Sequence, residues 1–137
     1  MAGVGAFIAA RVLNVTLKNT ASIASAATLG LGLCLGSPTS VSKSEVGTLS
    51  GYTPQSITFS SVAASGTVAS NANAMTFGPF SSAKTIFGCV VKDTLAASAS
   101  NGNLGNLYFF GNLGTSVVLV AGDTITFAAG AITISLA

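Results

Sequence analysis

Short apolar runs, parted by small and polar residues, recur along this chain, and they are clearest towards its end. Leu107-Tyr108-Phe109-Phe110, Val117 to Val120, Ile125-Thr126-Phe127 and Ile132 to Leu136 are separated by Gly111-Asn112-Leu113-Gly114, Ala121-Gly122-Asp123 and Ala128-Ala129-Gly130. Runs rich in β-branched and aromatic residues, broken by Gly, Asn and Asp, predict antiparallel strands joined by turns. Upstream, Thr28 to Gly36 alternates strictly. Leu29, Leu31, Leu33 and Leu35 fall on one strand face, and Gly30, Gly32 and Cys34 fall on the other, where another chain segment can approach closely. Tyr52 to Val62 alternates around Ile57 and Phe59, Ala74 to Phe80 around Met75 and Phe77, and Thr85 to Lys92 is apolar enough for a central strand covered on both faces. These runs predict about eight strands at the spacing of a sandwich or barrel.

The first twenty residues break that pattern. Val4, Phe7, Ile8, Arg11, Val12 and Val15 follow helical spacing and predict one amphipathic helix, ended near Asn19 and Thr20. It can pack on its own domain or serve as an arm on a neighbouring subunit. The fold expected is all-β, an antiparallel, jelly-roll-like β-sandwich at residues 21–137 with a short N-terminal helix or arm at 1–20. The stretches 37–51 and 93–105 are expected to be long surface loops, and 63–73 a further connection.

Composition changes this picture in one respect. Only 6% of the 137 residues are charged, against about 25% in an ordinary soluble domain. Ser, Thr, Asn, Gly and Ala fill the deficit, which predicts a surface largely covered in an assembly. The five cations (Arg11, Lys18, Lys43, Lys84, Lys92) form no stripe, so no nucleic-acid partner is expected. No run reaches the roughly 20 apolar residues of a membrane span, and neither a membrane partner nor a cleaved leader is expected, although Ala24-Ser25-Ala26 resembles a cleavage site.

Candidate chemistry is sparse. There is no histidine, and the three acids, Glu45, Asp93 and Asp123, fall in expected loops far apart in sequence. General acid–base catalysis needs paired groups in a cleft, and a metal needs clustered ligands. No catalytic residue, cofactor, metal or small-molecule substrate is expected. Asp123 reads as a turn cap and Asp93, beside Lys92, as solvated turn charge. Cys34 and Cys89 read as two reduced buried thiols, with a disulfide left open. The Leu/Gly run lacks the GxGxxG and GK[ST] patterns of phosphate loops, no serine sits in GxSxG, and Asn14-Val15-Thr16 matches a glycosylation sequon inside the expected helix.

At these residues the chain resembles a family of small tailed-phage virion proteins, described variously as tail-fibre or head-decoration (cement) proteins. The resemblance rests on Leu107 to Leu113, then Gly122-Asp123-Thr124-Ile125-Thr126-Phe127-Ala128-Ala129-Gly130-Ala131. Weaker elements are Ser44-Glu45-Val46, Gly51-Tyr52, Ile57-Thr58-Phe59, Met75 to Pro79 and Ile86-Phe87-Gly88, and the whole spans about residues 13–137. The chain departs from the family pattern at Thr53-Pro54, where an arginine is usual, and at Ala83-Lys84-Thr85, where Trp-Gly is usual. The resemblance implies a non-enzymatic virion protein, expected to be a homotrimer that clamps major capsid protein subunits on the head surface, with a tail-fibre role as the alternative. Apart from the resemblance, a ligand-binding sandwich with no virion role stays open. Candidate subunit or capsid contacts are Phe7, Ile8, Arg11, Glu45, Tyr52 and Phe109.

Overall fold

The structure, a computed structural model, describes residues 2–18, 28–62, 66–99 and 104–135. Its centre is β6 (Lys84–Lys92), nine residues long, flanked by β2 (Gly30–Cys34) and by β7 (Leu107–Leu119). With β1 (Ala2–Val4) beyond β7 and β3 (Gln55–Ser56) beyond β2 they form a five-stranded sheet, ordered β1-β7-β6-β2-β3. Every pairing is antiparallel. Two ribbons supply the second layer: β4 (Val68–Ser70) with β9 (Thr133–Ser135), and β5 (Met75–Phe77) with β8 (Ile125–Phe127). The fold is an all-β antiparallel sandwich.

Period-two alternation decides what each sheet face does. Leu31 and Leu33 of β2 lie opposite Val91 and Cys89 of β6, and Val91 lies opposite Phe109 of β7. This face joins Met75, Phe77, Ile125, Phe127, Ile132 and Ile134 of the second layer in the main core. Tyr52 enters the same core, its ring stacked 5.8 Å from Phe77 and 6.5 Å from Phe80. The other face of the sheet carries a smaller cluster of Cys34, Val90 and Leu107, with Phe110 against it.

The N-terminal segment is tied to its own sheet. Gly3 pairs with Phe110 and Val4 with Phe109, so residues 2–4 form an edge strand where helix was expected. The chain then turns at Gly5, whose N–H donates to Tyr108 O at 2.6 Å. The helix α1 (Ala6–Lys18) follows, free of glycine and proline. Phe7 stacks on Tyr108 at 5.8 Å and Ile8 is buried, which seats the first turns of α1 on the sheet. The expected helix end at Asn19 and Thr20, and the Ala24-Ser25-Ala26 stretch, lie outside the described residues.

Two strand expectations need correction. Gly111 to Gly114 was expected to be a turn between two strands, yet β7 runs through it. Nine-residue β6 templates both halves: Gly88 pairs with Asn112 and Ile86 with Val117, and the surplus residues of β7 are absorbed in a bulge. Glycine and asparagine at that position serve the bulge rather than a reversal. Conversely, 52–62 yields only β3 and a single bridge from Phe59 to Asn71, while the presumed connection 63–73 contains β4.

Candidate functional site

The 37–51 stretch, expected to be a surface loop, doubles back along β2. Val46 N–H donates to Leu33 O, Leu35 N–H donates to Ser44 O, each at 2.9 Å, and Glu45 bridges to Cys34. This strap carries the Glu45 side chain over the glycine face of β2. A Cβ on Gly32 would stand 2.6 Å from Glu45 Oε1, and one on Gly88 would stand 2.8 Å from Pro38 Cδ. Thr94 O presses on Gly30 from the following loop. The empty face of the Leu/Gly alternation is therefore where both long loops lie down.

Under them sits a buried polar network. Lys92, opposite Gly30 on the same face, donates from Nζ to Glu45 Oε2 at 2.5 Å and to Ala96 O at 2.6 Å. Tyr52 donates its hydroxyl to Glu45 Oε1 at 2.8 Å and accepts from Leu33 N–H at 2.9 Å. Relative exposures are 0% for Lys92 and 1% for both Glu45 and Tyr52. Lys43, also buried, donates to Gly105 O at 2.7 Å. Burial and then the Glu45 charge push the Tyr52 hydroxyl pKa well above its ordinary value, while burial and then neighbouring Lys92 lower that of Lys43. The expectation of Glu45 in a surface loop is thus corrected: a lone charge in so dry a place is costly, and Glu45 and Lys92 have found each other. Asp93 is not merely solvated either, since its two oxygens accept from Asn106 N–H and Nδ2, each at 2.7 Å. Asp123 caps its turn through Val120 N–H at 2.9 Å, as expected.

The network could have been suspected from two signals: a glycine face with nothing to fill it, and a lysine ending the most apolar strand. Cys34 and Cys89 are free thiols. Cys34 lies opposite Gly88 and Cys89 opposite Leu33, so they occupy opposite sheet faces. Burial pushes the Cys89 thiol up to about 11, and burial with nearby Cys89 and Glu45 pushes Cys34 higher still.

Two features face outward. A groove of about 380 Å³ opens between the β1-β7-β6 face and β9, lined by Val4, Cys89, Val91, Phe109, Ile132 and Ile134 among others. Along α1, the exposed residues among the described side chains are Ala6, Ala10, Leu13 and Leu17, all apolar and on one stripe. Leu13 is 56% and Leu17 76% exposed.

Of the candidate contacts, Glu45 and Tyr52 are inside the network, Phe7 and Ile8 face the sheet, and Phe109 lines the groove. Arg11 lies in α1, its side chain outside those described. Among the described residues no cluster of metal-ligating side chains occurs, and no helix is long and apolar enough to cross a membrane.

A family model described as podophage GP4 fiber I protein gp80 matches residues 3–135, and the chain belongs to that family, a family of bacteriophage virion structural proteins. No curated protein matches the chain.

Proposed function

We propose that this chain is a non-enzymatic subunit of a tailed-phage fibre, assembled as a homotrimer. The observation that carries the reading is the family match, which spans nearly the whole sandwich and whose own description is of a fibre protein. Geometry supports it in three ways. The polar chemistry is turned inward and spent on holding loops. The α1 stripe follows 4-3-4 spacing at Ala6, Ala10, Leu13 and Leu17, the alternation by which helices interlock side by side. The groove beside Phe109 gives a second apolar contact surface. Adhesion then comes from many modest, uncharged contacts repeated by symmetry.

Head decoration, with the major capsid protein as partner, is the competing reading, and stoichiometry separates the two. In purified particles, quantitative mass spectrometry is expected to find the chain at a small fraction of the major capsid protein, on particles that keep their tails. Near-equal copy number would overturn the fibre reading for the cement one. Absence from particles would remove both.

A further inference from the structure

The buried network is a reaction geometry as well as an ion pair. Lys92 Nζ touches the Glu45 carboxyl at Oε2, the Tyr52 hydroxyl donates to Oε1 of the same carboxyl, and Ala96 O holds a second N–H of the amine. Amine, carboxyl, hydrogen-bond donor and amine-orienting acceptor are in mutual contact, with Lys92 and Glu45 almost wholly shielded from water.

We propose that Lys92 and Glu45 condense to an intramolecular amide cross-link. A proton passes from Nζ to Oε2 across their contact, which frees the nitrogen lone pair. Nζ attacks Glu45 Cδ and a C–N bond forms. Negative charge develops on Oε1, where the Tyr52 hydroxyl is already aimed. The Cδ–Oε2 bond then breaks, and Oε2 departs as water with the transferred proton and one more from nitrogen. The third ammonium proton remains as the amide N–H, facing Ala96 O. Atoms and charge balance without oxidant, reductant or co-reactant. Holding amine and carboxyl in contact makes the step intramolecular, and well-aligned intramolecular reactions reach effective molarities of about 10⁵–10⁸ M, the proposed substitute for chemical activation. Loss of water into bulk from so dry a site opposes the reverse hydrolysis. The product covalently joins the 37–51 strap to the end of β6, fixing the face on which the two long loops lie.

The test is the mass of the full-length folded chain after denaturation. The expected mass is below that of the sequence by one water. Trypsin should fail to cut after Lys92, and residues 44–84 should remain joined to residues 85–137 through a branched peptide at Glu45 and Lys92. Tyr52→Phe, which keeps the ring stacking, should slow accumulation of the link by about 10²-fold or more, and Lys92→Gln should have its sequence mass. A folded wild-type chain with the sequence mass and normal cleavage after Lys92 would overturn the proposal. So would a water loss that maps to any other residue.

Discussion

At the scale of single residues, the chain concentrates its scarce charge where it is most consequential. Glu45 is buried against Lys92 and Tyr52, so deleting one partner strands the other in an apolar surround. Measured against the chain before the amide forms, Lys92→Met should lower unfolding free energy by about 3–5 kcal/mol, the usual cost of an orphaned buried charge. Lys92→Met with Glu45→Leu should recover most of that loss, and urea unfolding of the two variants checks both. The thiols set a pH dependence of definite sign. Cys89 is raised from 9.0 to about 11, and Cys34 is also raised. Above pH 9 the unfolded chain therefore releases thiol protons that the folded chain keeps, and stability falls as pH rises. Lys43, whose pKa is lowered, acts in the opposite sense by shedding its proton earlier in the fold. Tyr52, raised like the thiols, adds to the fall. Unfolding midpoints from pH 8.5 upward should decline, and Cys89→Val should make the decline shallower up to about pH 11 while Cys34 and Tyr52 still contribute; an unchanged slope in that variant would refute the assignment.

At the scale of elements, β2 is the part that decides the fold, because its two faces do different work. Gly88→Ala, on β6 opposite Cys34 of β2, would place a Cβ 2.5 Å from Gly111 O, and Gly32→Ala within β2 would drive one into Glu45 Oε1 and to 3.1 Å from Val90 Cγ2. Each should cost about 1–3 kcal/mol by overpacking. Gly114→Ala, in the β7 bulge with nothing within 4 Å of its Cβ, should stay within about 0.5 kcal/mol of the parent. Thermal melts of the three variants give the ordering. The same elements explain what could be read from sequence. The leucine face of β2, the central position of β6 and the short strands β8 and β9 were legible because they depend on local alternation. The buried Glu45 was not, because Ser42-Lys43-Ser44-Glu45 has the composition of a solvated loop. Its burial depends on Tyr52 and Lys92, which only the fold brings to it. β1 and β4 were missed for a related reason: each is three residues long and exists because a partner strand offers an edge. The continuous β7 likewise owes its passage through two glycines to β6 rather than to its own propensity.

At the scale of the whole molecule, the question is what a surface with so little charge is for. Lys43, Glu45 and Lys92 are inside, so the outside carries even fewer charges than composition suggests. Meanwhile Leu13 and Leu17 on α1 stand exposed in line with Ala6 and Ala10. An apolar helical stripe of this regularity on a nearly uncharged exterior suits self-association through copies of α1. Contacts of that kind respond to ionic strength in a characteristic way. From about 0.1 to about 1 M salt the screening length drops from about 10 to about 3 Å, which weakens interfaces built from exposed ion pairs. An interface of alanine and leucine has no such term to lose. Sedimentation of the purified chain should therefore show one oligomeric species across that salt range, with no shift towards monomer. Leu13→Glu with Leu17→Glu should move it to monomer at low salt while circular dichroism stays that of a β-sandwich, since both side chains point away from the core. Dissociation of the wild-type chain by salt would place its contacts on the few remaining surface charges instead. An oligomer that survives the double substitution would move the interface from α1 to the groove beside Phe109.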